Sequence, residues 1–157
     1  MKASARDAAA LIATRAPQDD VGDSLVLWEL VQTAHLATLA FRDTFGAFGL
    51  TPTQFGVLSH LADGDDLTKA QLARAVLVSP QSMDPIIDAL LASGDVVRDG
   101  PPRRGRAAAI RITDAGLAHL AAVRPAVEEL NSPTTLGLAT DDVPLLIRQL
   151  QAVRQHL

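Results

Sequence analysis

The sequence contains no cysteine and no tyrosine, one tryptophan and four phenylalanines. Without thiols it can form no disulfide, no thiolate metal site and no thiol-based redox sensor. Aromatics are 3% of residues while 48% are hydrophobic, so the core has to be aliphatic, a Leu, Val, Ile and Ala mixture that favours helices. No apolar run approaches the roughly 18 residues that a membrane span needs. The opening MKASARDAAALIATRAP is interrupted by Arg6, Asp7 and Arg15 and lacks the apolar stretch of a signal peptide. The expectation is a cytoplasmic protein without a membrane partner. Its 157 residues fit one domain, or one domain with helical arms. Catalytic signatures are also missing: there is no GxSxG, P-loop, GxGxxG or HExxH. None of His35, His60, His119 and His156 stands four residues from another, the spacing a helical metal site uses, so no metal, cofactor or enzyme activity is expected.

The charge that is present is unevenly placed. The chain carries a net −4, yet Arg98 to Thr113, RDGPPRRGRAAAIRIT, holds five of its twelve arginines against the single acid Asp99, a local +4. Overall acidity argues against coating nucleic acid by bulk charge but is compatible with a local basic patch.

Periodicity organises the rest. Residues 4–15 are Ala-rich and could form a short first helix; APQDDVGD (16–23) breaks it. From Ser24 to Phe45, residues Leu27, Leu30, Val31, Leu36, Leu39 and Phe41 recur at helical spacing over a face too broad for one surface stripe, which predicts burial against a partner chain. Thr51 and Pro52 open a helix that Asp63-Gly64 stops. Thr68 caps a short helix within 67–76. Ser79 and Pro80 start the next, with Ile86, Ile87, Leu90 and Leu91 as its expected buried side and Ser93-Gly94 closing it. Two β-like runs, 96–98 and 107–112, flank a Pro/Gly/Arg loop and predict a hairpin. Thr113-Asp114 caps a long helix to about Leu130, bent or interrupted near Pro125. Residues 131–139 read as loop, and Asp141 begins a last helix with Val143, Leu145, Leu146, Leu150 and Val153 apolar.

Two short helices joined by a tight turn and followed by a two-stranded hairpin make a helix-turn-helix with a wing. The second helix would enter a major groove, and the arginines of the hairpin tip would reach the narrow minor groove or the phosphates. LTPTQFGVL, LTKAQLA, SPQSMDPIIDALLASGDVVR and IRITDAG, in that order, resemble the MarR family of winged-helix transcription regulators, and the resemblance extends over about residues 24–157. It implies a mainly α fold with a small β-wing and N- and C-terminal dimerisation helices. The divisions are an N-terminal extension over 1–22, a dimerisation helix over 23–50, the DNA-binding lobe over 51–113 and C-terminal dimerisation helices over 114–157. It further implies a homodimer on double-stranded DNA, a pseudo-palindromic operator whose half-sites lie about 10 bp apart.

The family's wing arginine falls on Arg106; the position two before it, usually an acid, is Arg104. Arg106 is expected in the minor groove, with Arg103 and Arg104 on phosphates. Ser79 to Ser93 holds no Lys or Arg and two acids, Asp84 and Asp88, so base contacts fall to Ser79, Gln81, Ser82 and Met83. Pro85 either kinks this helix or follows Asp84 as the start of a shorter one. Lys69, Gln71 and Arg74 on the preceding helix could add phosphate contacts, or simply form an exposed face. Family members bind small, often aromatic acids between the dimer helices and the DNA-binding lobe. Trp28, Gln32, His35 and Leu39 share one helix face, which Phe55 and His60 could meet as a pocket. The alternative is that Trp28 packs in a dimer core and His35 is an ordinary core histidine. The reading is a dimeric repressor tuned by a small-molecule effector. The rival is a ligand- or protein-binding dimer of the same fold with weak or lost DNA binding.

Overall fold

A computed structural model of the chain describes residues 25–64, 66–99 and 108–157. They fall into two compact units, the first ending at Ala122 and the second running Val123–Leu157.

The first unit opens with α1 (Val26–Gly46), which begins at Leu25 without a side-chain cap. Phe45 is its only buried residue; Leu27, Trp28, Val31 and Leu36 are exposed in the single chain, which is the apolar surface that the sequence assigns to a partner. Gly49, at φ +71°, lets the chain reverse so that the Leu50 N–H returns to the Phe45 carbonyl. α2 (Pro52–Ala62) starts with a capping box: the Gln54 N–H donates to Thr51 Oγ1, and the Thr51 N–H donates to Gln54 Oε1. Its Val57, Leu58 and Leu61 enter the core.

The short helix expected within 67–76 is α3 (Lys69–Ala75), and Thr68 caps it as expected, in a second capping box with Gln71; unforeseen is that Leu67–Thr68 also form a two-residue strand, β1. α4 (Pro80–Ala92) is capped by Ser79, whose Oγ accepts from the Ser82 N–H, and it runs unbroken through Pro85. Its buried stripe is Met83, Ile87 and Leu90, at i, i+4 and i+7; Ile86 and Leu91 are half-buried. β2 (Val96–Asp99) and β3 (Ala109–Ile112) form the expected hairpin ladder, with Val96 opposite Ile112 and Asp99 opposite Ala109. β1 pairs on the other side of β3, Leu67 opposite Ile110, giving an antiparallel sheet in the order β1-β3-β2. α2 packs against α1, α3, α4 and β3, and α4 against α3 and β2. The core these elements share includes Leu58, Leu72, Met83, Ile87, Val96 and Ile110, each contributing about 1.5–3 kcal/mol through burial.

α5 (Asp114–Leu130) starts in the first unit and, past Ala122, enters the second, continuing as a helix through Pro125. Within the second unit, Ser132 caps a one-turn helix, α6 (Pro133–Leu136), inside a segment expected to be loop. α7 (Asp142–His156) leaves Leu145, Leu146, Ile147 and Leu150 exposed. Among the described residues, no helix is long and apolar enough to cross a membrane, and no group of His, Asp or Glu is placed to hold a metal ion.

Candidate nucleic-acid interface

α3 and α4 are joined by a turn in which the Leu77 N–H donates to the Arg74 carbonyl and the Val78 N–H to the Ala73 carbonyl. This is a Schellman closure, and it needs a left-handed residue at position 77. That residue is Leu77, at φ +57° and 79% exposed. A non-glycine residue held there costs about 1–2 kcal/mol. The turn brings α4 in with its first residues facing outward: Ser79, Gln81 and Ser82 are all exposed. Ser79 Oγ also lies 2.8 Å from Ser82 Oγ, so the cap is a small hydroxyl pair rather than a lone acceptor. Met83 corrects the sequence reading. It is completely buried, as the first residue of the core stripe, and its thioether cannot reach a base edge. Pro85 lacks the N–H that would bond the Gln81 carbonyl, so one backbone acceptor is left without its helical donor on the turn where Gln81 sits.

The two acids of α4 are each paired. Lys69 Nζ, from α3, donates to Asp84 Oδ1 at 2.6 Å, and Arg98 Nη2, from β2, donates to Asp88 Oδ1 at 3.1 Å. All four side chains are about half exposed or more. Gln71 has its side-chain oxygen engaged at the Thr68 cap, accepting from both the N–H and the hydroxyl. Arg74 is exposed and makes no ion pair among the described residues.

Of the five arginines in the basic stretch, Arg103, Arg104 and Arg106 lie outside the described residues. The other two lie on the sheet and are each paired with an acid of the lobe. Arg98 is paired with Asp88. Arg111, on β3, grips Asp66 with two hydrogen bonds of 2.8 and 2.7 Å, one to each carboxylate oxygen. The Arg111 hydrogen bond holds the Asp66 carboxyl below its usual pKa.

The root of the hairpin is built around Asp95, the one buried charged residue of the described chain, at 4% exposure. Ser93 Oγ donates to its Oδ2 at 2.6 Å, and His119 Nδ1 on α5 lies 3.2 Å from both carboxylate oxygens. His119 Nε2 lies 2.9 Å from the Phe48 carbonyl oxygen, so whichever ring nitrogen carries the proton has an acceptor before it. The Asp95 backbone carbonyl accepts from the Thr113 N–H and hydroxyl, and Thr113 Oγ1 accepts from the Gly116 N–H. A Cβ on Gly116 would stand 2.2 Å from the Asp95 carbonyl oxygen and 2.8 Å from Ile112 Cγ1, so only glycine fits. No buried side-chain polar atom among the described residues lacks a partner. Sequence reading missed this cluster, and its only visible signal is an acid between Gly94 and a strand.

The expected ligand face is dispersed. Trp28, Gln32, His35 and His60 are exposed, Leu39 and Phe55 half-buried. Phe55 stacks on Phe45, which stacks on Phe41, with ring centroids 4.6 and 5.5 Å apart. Trp28 precedes Phe45 by seventeen residues of one helix, about 25 Å along its axis at 1.5 Å per residue. Within one chain, therefore, Trp28 and Phe55 do not meet.

Residues 48–107, which include α2 to α4 and β2, match the family model described as MarR family. Among solved structures, the chain is similar to a probable transcriptional regulator from Pseudomonas aeruginosa. The two are 25% identical over 83% of this chain and 98% of that one, with a TM-score of 0.72. It is similar also to the transcriptional repressor CouR bound to a 23-mer DNA duplex, at 22% identity over 90% and 99% of the two chains and a TM-score of 0.74. A third is a Mycobacterium tuberculosis MarR family protein in complex with salicylic acid, at 23% identity, 84% and 98% coverage and a TM-score of 0.67. No curated protein matches the sequence. Over residues 48–107 the chain is therefore similar to the MarR family, and its fold is the winged helix-turn-helix of these solved structures.

Proposed function

We propose that the chain is a dimeric, sequence-specific DNA-binding transcriptional regulator, a repressor whose grip on its operator is tuned by a small-molecule effector. The observation that carries this reading is the first turn of α4. Ser79, Gln81 and Ser82 stand outward while Met83, Ile87 and Leu90 anchor the opposite side of the same helix in the core. A helix fixed in this way can present its N-terminal side chains to a major groove without rearrangement. Gln81 is suited to adenine, and Ser82 to a donor or acceptor edge. Arg103, Arg104 and Arg106 then serve the minor groove and the flanking phosphates, with Arg74 adding a contact from α3. The similar structures with a DNA duplex and with salicylic acid support both halves of the reading.

A second copy of the chain would cover the exposed apolar residues of α1 and α7 and so supply the dimer. It would also be needed to enclose an effector, because Trp28, Gln32 and His35 lie open on one chain. An effector that prefers one spacing of the two DNA-binding lobes shifts the population away from the form that fits the operator.

The experiment is a gel-shift titration against the DNA flanking the protein's own gene, with random duplex as competitor. Retention that survives the competitor is the expected result. A protein that forms dimers but is retained by no duplex would instead favour the ligand- or protein-binding dimer. The cation-free surface of α4 is the observation on that side.

A further inference from the structure

We infer that Asp84 and Asp88 act as built-in competitors of DNA phosphate: they hold Lys69 and Arg98 and thereby lower sequence-independent affinity, so that base contacts decide where the protein binds. The inference rests on the DNA-binding reading above. α4 has no cation of its own, and the cations beside it come from both neighbouring elements, Lys69 from α3 and Arg98 from β2. Each is already on a carboxylate of α4, at 2.6 and 3.1 Å, which are the distances a phosphate oxygen would take. Arg111 is on Asp66. Of the four cations described in the lobe between Thr51 and Ala122, three are therefore engaged with acids of the same lobe and Arg74 alone has no ion pair among the described residues.

The pairs are exposed, and such pairs are weak enough to exchange partners in water. Moving Lys69 from Asp84 to a phosphate gains one charge contact. It also leaves a bare carboxylate facing a duplex that carries one negative charge per ~1.7 Å. That penalty falls equally on every DNA sequence. It lowers the phosphate contribution while leaving the contacts of Gln81 and Ser82 with base edges intact, and so widens the ratio between operator and random DNA. The absence of Lys and Arg from α4 acts in the same direction.

The test uses the full chain and four proteins: wild type, the double variant Asp84→Asn/Asp88→Asn, the double variant Lys69→Met/Arg98→Met, and all four changes together. Affinity for a random-sequence duplex and for the DNA flanking the gene is measured across a series of KCl concentrations, with thermal midpoints to establish folding. The Asp84→Asn/Asp88→Asn protein is expected to bind random duplex several-fold more tightly. Its log–log salt slope should steepen by up to about 0.9 per freed cation in each protomer. The flanking DNA should gain less, and Lys69→Met/Arg98→Met alone should bind both duplexes more weakly than wild type, because it leaves the two carboxylates of α4 bare. Adding the Met changes to the Asn variant should remove the gain. If wild type binds but the Asn variant binds no more tightly, the competition is disproved and the DNA-binding reading stands. If the gain survives the Met changes, loss of repulsion alone explains it and the pairing account is overturned. If none of the four proteins is retained by any duplex, the DNA-binding reading fails, and this inference with it.

Discussion

α3 and α4 end in the same turn, made from opposite materials. After α3 the left-handed position is Leu77. After α4 it is Gly94, at φ +79°, with the Gly94 N–H on the Leu91 carbonyl and the Asp95 N–H on the Leu90 carbonyl. The hydrogen bonds correspond one for one; the residues do not. Glycine stands where the chain next dives inward, to buried Asp95 and the hairpin root. Leucine stands where it stays outside, before the exposed turn that begins α4. The difference teaches where strain is tolerated: the surface-facing end carries a left-handed leucine, and the end that must hold position does not.

The sharpest way to break the contrast is at the held end. Gly116→Ala places a methyl group against the Asp95 carbonyl and Ile112, with backbone on one side and a core residue on the other. We expect a loss of about 3 kcal/mol, seen as a fall in the urea midpoint with the slope retained. The two turns themselves come next. Gly94→Ala meets open space, so its cost is the left-handed backbone alone, about 1 kcal/mol. Leu77→Gly should do the reverse. Relief of the left-handed leucine outweighs the added freedom of the unfolded chain, for a gain of about 0.5–1 kcal/mol. Equal responses at the two sites would erase the contrast.

The smallest effect belongs to an ion pair in the open. Because Arg111 lowers the Asp66 pKa, the pair's contribution is full above the unfolded carboxyl pKa and is lost as pH falls through the lower folded value. Asp66→Asn should therefore be slightly less stable than wild type at neutral pH. Urea midpoints measured down to about pH 2 should converge. A gap that persists in acid would mean that Asp66 acts through something other than its charge.

Local chemistry was legible in the sequence, and long-range chemistry was not. Thr51, Thr68 and Ser79 announce helix starts because a cap is a contact three residues long. The order of helices and hairpin followed from periodicity. Met83 was within reach as well: with Ile87 and Leu90 it completes a core stripe, and that spacing outweighs the apolar contact with a thymine methyl for which it was considered. β1 escaped because two residues set no period; they are a strand only because β3 lies alongside. The partners of the charges escaped for a related reason. Asp66 and Arg111 are 45 residues apart, and His119 is 24 from Asp95. Nothing in the local sequence distinguishes such a charge from a solvated one.

The cluster at the hairpin root also bears on how this protein can change over time. Asp95, Thr113, Gly116 and His119 share one set of hydrogen bonds and one close approach, so a substitution at any of them alters what the others can be. Ser82 and Gln81, by contrast, project from a helix whose anchoring stripe lies on its other side. Positions 81 and 82 can therefore vary one step at a time, while the four root positions can drift only together.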